Sequence, residues 1–394
     1  MSLAVILCFG ILTLWVPARW VLSTFQVALF ALAAVRIAQR RSIGMHFVGL
    51  LLAAAAAWCA LQMALGWSID RVTTLEAVLN WIANLAAFAL AADLYRNAQR
   101  RERFLRAALI FTSVLAVVSI FTFFTSPAGK AFWIFETETG SRTLGPFVYQ
   151  NQYAAFIEVI LPLAIIGVIR DRRRWVLYAL IVATLFGSVV TGASRTGSIL
   201  CLTEIFVIPL IAVWRGMIPG RVLARALLGS LAAVAVLTGV VGWERLWQRL
   251  QEPNPYSLRQ DLVLSSASMT RSRPLTGFGL GTWAEAYPGY ARFDDDRFVN
   301  QAHNDWLQWA SEGGLPFLAL MLGIAAWSVK PALRSLWGVG ILSVWLHALL
   351  DYPMQQRPAL AAFFFALLGA LASQTHFPFR ERSRRVDDLT ADHG

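Results

Sequence analysis

"RDRRRWVLYALIVATLFGSVVTGASRTGSILCLTEIFVIPLIAVWRG", residues 170 to 216, holds two apolar runs, 175–190 and 197–213, joined by a tight polar hairpin and bracketed by arginines. In lipid every backbone N–H and C=O must find a partner within the protein, and apolar runs of this length satisfy that demand as helices. The hairpin residues Gly192, Ser194 and Gly197 suit a turn between two antiparallel membrane helices.

The same pattern recurs along the chain. Apolar segments run at roughly 3–17, 20–35, 47–65, 75–92, 107–124, 152–169, 175–190, 197–213, 224–242, 305–328, 337–350 and 359–375. About twelve spans follow, in keeping with a chain that is 57% hydrophobic, 14% charged and has a mean hydropathy of +0.57. The expected fold is an all-α polytopic membrane protein. The run at 3–17 has no Lys or Arg before it and no small-x-small cleavage site, so it reads as a retained helix. Cys8, Cys59 and Cys201 are odd in number and lie in apolar runs, as buried thiols do, which leaves no disulfide framework or metal knuckle.

The net charge of +11 and pI near 10.3 would suggest nucleic acid in a soluble protein. Here the distribution of charge excludes that reading. Most basic residues fall in alternate short loops: Arg36, Arg40 and Arg41; Arg96, Arg100, Arg101, Arg103 and Arg106; Arg170 and Arg172 to Arg174; Arg215, Arg221 and Arg225; Lys330 and Arg334; and Arg380, Arg382, Arg384 and Arg385. The positive-inside rule makes that side cytoplasmic, with both termini on it. The chain then divides into one transmembrane domain, 1–376, expected to hold any catalytic site, and a basic cytoplasmic tail, 377–394. On the other side lie two long loops, 125–151 and 243–302. The second balances seven Arg against seven Asp or Glu and reads as a folded cap, opened by an interfacial helix with Trp243, Leu246, Trp247 and Leu250 on one face.

Four outward stretches are richer in polar residues than a plain bundle needs. In 141–156 Arg142, Gly145, Pro146 and Asn151 lead into an apolar helix, which a turn and cap would also explain. In the 191–199 hairpin Arg195 either snorkels or is aimed at an anionic ligand. In 256–287 Arg259 heads a helix ending before Pro274, with a salt bridge inside the cap as the plainer account. Gly277, Gly279 and Gly281 lack the spacing and βαβ context of a dinucleotide fingerprint and instead let the chain pass close to other segments. Asp294 to Asp296 form a charge run whose ordinary state is solvated, a divalent ion being the lesser reading. In 303–320 His303 and Asn304 stand at the head of a helix that Gly313, Gly314 and Pro316 loosen or kink. His303 alone reads as a capping or hydrogen-bonded histidine. Glu204 in mid-span, and His347 with Asp351 at an outer end, are further candidates.

What raises these residues above their bland readings is convergence on one face. The arginine topology puts Arg142, Arg195, Arg259 and His303 together outside. Guanidinium stays charged at any relevant pH and engages phosphate oxygens bidentately, so a pyrophosphate suits such a cluster.

These residues resemble the O-antigen ligase and polymerase superfamily of bacterial membrane glycosyltransferases. The resemblance rests on four motifs in order: Arg142, Gly145, Phe147 and Asn151; Ser194, Arg195 and Gly197; the Arg259 helix running into "PLTGFGLGTW"; and His303, Asn304, Gly313 and Gly314, with "HALLDYPMQQRPALAAFF" similar to the family's C-terminal end. It covers about residues 140–370. Phe317, Tyr149 and Gln150 depart from the family's usual residues at their positions. The resemblance implies a GT-C-like enzyme in the bacterial inner membrane that uses an undecaprenyl-pyrophosphate-linked glycan on the periplasmic side, without metal, nucleotide or other cofactor. Its acceptor is lipid A-core in a ligase and another lipid-linked repeat unit in a polymerase; no nucleic acid is a partner. Arg195 and Arg259 are then expected to clamp the pyrophosphate with Arg142 assisting, and His303 to act as general base or, alternatively, as a protonated phosphate ligand, with inversion if attack is a single displacement. Asn151, Asn304 and Asp351 support. A secondary transporter or flippase also needs about twelve spans, but paired midplane charges and symmetric halves are its signature, and Glu204 is the one clear midplane acid.

Overall fold

The computed structural model describes residues 2–39, 46–137, 139–252, 257–292 and 299–375. The basic tail 377–394 and the Asp294 to Asp296 run lie outside the described residues.

The chain is a helical bundle. Its first part comprises α1 (Ser2–Leu12), α2 (Arg19–Gln39), α3 (Phe47–Ala64), α4 (Arg71–Leu94) and α5 (Ala98–Thr125). A two-stranded antiparallel hairpin, β1 (Lys130–Ala131) with β2 (Phe135–Glu136), leads to α6 (Gln150–Glu158), α7 (Leu161–Arg170), α8 (Trp175–Gly192), α9 (Arg195–Trp214) and α10 (Gly220–Val241). The cap carries α11 (Glu244–Leu250), α12 (Ser257–Ser272) and α13 (Trp283–Ala286), and α14 (Asp305–Ser335), α15 (Val339–His347) and α16 (Pro358–Ala372) return to the bundle.

Among the described residues nine helical segments are long and apolar enough to cross a membrane, with α6 and α7 forming one of them, Gln150–Arg170. Pro162, in the first turn of α7, donates no hydrogen bond, and the run bends there. The runs expected at 3–17, 337–350 and 359–375 are helical but form only 11, 9 and 15 residues of helix. At 1.5 Å per residue these fall short of a ~30 Å hydrocarbon core. α16 is a central strut instead: every residue from Ala359 to Ala372 is buried, packed against α4, α1 and α14.

The cap has its own small core of Leu262, Met269, Phe278, Trp283, Ala286, Tyr287 and Ala302. On α11, Trp243, Trp247 and Leu250 stay roughly half exposed, as a helix lying at an interface requires.

α14 explains how cap and bundle are joined. Gly314 adopts φ +71° and ψ 178°, breaking the helix two residues before Pro316. A break in lipid frees carbonyls that must be re-satisfied. Gly313 O accepts from Trp58 Nε1 (2.8 Å), and Glu312 O accepts from Gln62 Nε2 (2.8 Å) and from Gly279 N (2.9 Å). The cap segment 274–281 thus lies along the kink, with Phe278 N bonded to Ser311 O (3.1 Å) and Leu315 N to Pro274 O (2.7 Å). Gly277 sits at φ +63°, and a Cβ there would collide with the Glu312 carbonyl. Gly277→Ala is therefore expected to cost about 1–3 kcal/mol: faster limited proteolysis of residues 243–302 with unchanged far-UV helicity would show it, and wild-type protease resistance would refute it.

Candidate active site

The site forms where α6, the α8–α9 hairpin, the cap and the loop after α15 meet. Its centre is Asp351, 1% exposed. A buried carboxylate needs partners, and Asp351 Oδ2 accepts from Arg259 Nη2 (3.0 Å), Tyr149 Oη (3.3 Å) and Asn151 Nδ2. Its Oδ1 accepts from Tyr352 N (2.9 Å) and faces His303 Nδ1 at 3.5 Å. Burial works to raise the Asp351 pKa, but the His303 contact and the Arg259 charge outweigh it and hold the carboxyl below its ordinary value.

Each partner is placed by its own element. Asn151, in the first turn of α6, accepts from Ser194 Oγ (2.8 Å), and Ser194 in turn caps α9 by accepting from Gly197 N (3.3 Å). Ala193, at φ +54°, ends α8, so the hairpin turns in one residue and starts α9 at Arg195. Arg195 Nη1 donates to Arg249 O (2.9 Å) and to Glu252 Oε2 (3.1 Å). Arg249, at the end of α11, donates to Ala193 O (3.3 Å) and to the Gln150 amide oxygen. Burial, together with nearby Arg195 and Arg245, lowers the Arg249 pKa against the opposing pull of Glu252; an arginine still keeps its proton at any physiological pH. Arg259 Nη1 also donates to Leu350 O.

Tyr149 stacks on Tyr352 (centroids 5.1 Å, 10° between planes), and His303 sets its edge against Tyr352 (4.8 Å, 79°). Burial first, then the Asp351 charge, pushes the Tyr149 phenol well above its ordinary pKa, so it remains a donor. His303 itself takes φ +50°, a left-handed conformation uncommon for a residue with a Cβ. The helix cap beside it is Asn304, which accepts from Leu307 N (3.0 Å) and donates to Leu349 O (2.8 Å). The capping duty open to His303 from sequence belongs to its neighbour.

Arg195, Arg249, Arg259 and His303 line one cavity of about 300 Å³, with Tyr149, Gln150 and Asn151 on its α6 side. Arg259 and His303 also border an apolar groove of about 420 Å³ along Val263, Leu264, Leu349 and Leu350. Of the residues singled out in sequence, Asn151, Arg195, Arg259, His303 and Asp351 come together, with Asn304 adjacent. Arg142 does not join them. Its guanidinium donates to Phe123 O (2.7 Å), Phe124 O (3.4 Å) and Ser126 O (3.4 Å), closing the C-terminus of α5, where a cation complements the helix dipole. Arg249 occupies the third cationic position instead. His347 pairs with Glu158 (Nδ1 to Oε1, 2.7 Å), both fully buried, and neither they nor Glu204 line the cavity.

An arginine-lined hollow that meets an apolar groove in a polytopic bundle has the chemistry to hold an amphiphilic anion. Residues 180–322, which contain Arg195, Arg249, Arg259 and His303, match the family model described as O-antigen ligase, a match that supports the O-antigen ligase/polymerase superfamily. That family implies a glycosyltransferase-like activity in O-antigen processing. Comparison with curated proteins finds no match.

The Asp351 carboxyl binds its proton less readily in the fold than in the unfolded chain, so its stabilising contribution is complete above the unfolded value of about 3.9 and is lost as pH falls below it. Between pH 5 and 3 the wild-type melting temperature should fall more steeply than that of Asp351→Asn, measured in the same detergent; parallel curves would contradict the assignment.

Proposed function

We propose that this chain is an O-antigen ligase, transferring a glycan from undecaprenyl pyrophosphate to a sugar hydroxyl of lipid A-core at the periplasmic face of the bacterial inner membrane. The observation that carries this reading is the pairing of the three-arginine cavity with the apolar groove, sharing Arg259 and His303. A lipid diphosphate has those two halves: charge for the cavity, hydrocarbon for the groove.

The basic connections support the orientation. Arg215 Nη1 donates to Leu333 O (2.5 Å), and Ser373 Oγ and Arg101 Nη1 both donate to Tyr95 O (3.0 and 3.2 Å), so the arginine-rich loops gather in neighbouring positions at their own end of the bundle. The positive-inside rule makes that end cytoplasmic and the cap periplasmic.

In this mechanism the acceptor hydroxyl oxygen attacks the anomeric carbon as the bond from that carbon to the diphosphate oxygen breaks. Arg195, Arg249 and Arg259 take up the charge that grows on the leaving diphosphate, the work a divalent ion does in other transferases. His303, with Nδ1 turned to Asp351, receives the acceptor proton on Nε2. A single displacement inverts the anomeric centre.

Arg259→Lys keeps the charge but loses the fork, and a 10²- to 10³-fold fall in transfer from purified lipid-linked glycan is expected; near-normal turnover would remove the clamp. Products appearing as chains on lipid A-core fit a ligase, whereas extended lipid-linked repeats identify a polymerase. His303→Ala should abolish transfer while the protein stays in the membrane, and full activity of that variant would remove the base assignment.

A further inference from the structure

A second cavity, of about 250 Å³, lies beneath the cap. Its polar lining is carboxamide: Asn80 and Asn84 of α4, Gln301 at the end of the cap, and Gln355 and Gln356 before α16, with Trp81 of α4 alongside. Three of these amides have an atom with no hydrogen-bond partner among the described residues: Asn84 Oδ1 in a residue only 4% exposed, Gln301 Oε1 and Gln355 Nε2. Leaving a buried polar atom unpaired forfeits the hydrogen bond it would make to water. Three such atoms around one hollow, two accepting and one donating, describe a site that expects hydrogen-bonding groups from its contents.

Charge narrows the class of ligand. Among the described residues no Arg or Lys borders the cavity. Of its two acids, Glu76 is paired with Arg19 (3.3 Å), and Glu312 is held by Gly281 N (3.0 Å), Trp283 N (3.1 Å) and Gln308 Nε2 (3.0 Å). The Arg19 guanidinium is engaged by Glu76, and both carboxylates already have donors. Side-chain amides that both give and accept, beside an indole, are the chemistry that recognises neutral hydroxyls and the C–H face of a sugar ring.

Position narrows it further. Gln301 lines this cavity and His303, two residues on, lines the cationic one. Similarly Leu349 and Leu350 border the lipid groove while Gln355 and Gln356 border this cavity. The short segments 301–303 and 349–356 thus each contribute to this cavity and to the cationic cavity or its groove.

We propose that this cavity is a saccharide subsite that receives the neutral acceptor glycan; the word acceptor rests on the transfer reading above, the binding of sugar does not. The test uses the full chain in detergent and two probes: the dephosphorylated oligosaccharide released by mild acid from lipopolysaccharide, and inorganic pyrophosphate. Saturation-transfer NMR is expected to show oligosaccharide binding to wild type and to Arg195→Ala, weakened at least tenfold in Asn84→Leu and Gln301→Leu. Pyrophosphate binding should persist in the last two, which also shows that they fold; if Asn84→Leu fails that check, Gln301→Leu at the rim and Gln355→Leu carry the test. Wild type that binds no oligosaccharide, or folded variants that bind it as well as wild type, would overturn the subsite. Oligosaccharide binding with the expected losses, but no pyrophosphate binding by wild type, would uphold the subsite and sink the diphosphate reading instead.

Discussion

A charge withdrawn from water has to be answered by charge and hydrogen bonds close at hand, and Asp351 imposes that constraint on everything around it. Its two oxygens draw in α6 through Tyr149 and Asn151, the cap through Arg259, and the α14 approach through His303. Measured against a well-packed apolar replacement such a tie adds little stability, because burying the charges costs much of what pairing them returns. What it supplies is registry. Segments far apart in sequence can meet in one arrangement that satisfies the carboxylate, and that arrangement is the one that sets Arg259 and His303 on a common wall.

The upper part of α14 is pinned by the same logic at both ends. At its start Asp305 N donates to Ala348 O and Asp351 O, and Met354 N donates to Asp305 Oδ2. At its kink the freed carbonyls of Glu312 and Gly313 are taken by α3 and the cap. Backbone that cannot turn to water turns to neighbouring chain. The cap is thereby fastened to the bundle through hydrogen bonds that lipid makes costly to break, and His303 hangs from the fixed end of that same helix.

Much of this was legible in the sequence because hydropathy and hairpin composition are local. All twelve apolar runs are helical, the α12 helix starts and stops where Arg259 and Pro274 suggest, and Gly314 with Pro316 marks the kink. What sequence could not set was the length of three of those helices: α15 and α16 shorten where neighbouring helices cover them, whereas α1 ends early with only Leu3, Leu7, Gly10 and Ile11 buried. Arg142 illustrates a different limit. It reads as one of a set of outward cations, but its partners are carbonyls of α5 some twenty residues earlier, and no spacing reveals that a helix ends beside it. Arg249 shows the converse: on the polar face of an interfacial helix it looks like ordinary solvated charge, and it becomes a site residue because α11 ends against the hairpin at Ala193. Tyr149 stood out only as a departure from the family pattern. The carboxamide cavity left no trace in sequence, as its amides come from stretches far apart in the chain.

The bond between Arg195 and Glu252 gives the cationic hollow a tethered counter-ion, for Glu252 is 53% exposed while Arg195 is 17% exposed. A stray inorganic anion arriving there gains one guanidinium only by evicting a carboxylate that stays close enough to return, an exchange with little net profit in salt. A diphosphate that also seats a hydrocarbon tail has a second source of affinity to tip that exchange. The hollow therefore discriminates by size and greasiness as well as by charge, and it can stand open to a phosphate-bearing compartment without filling up.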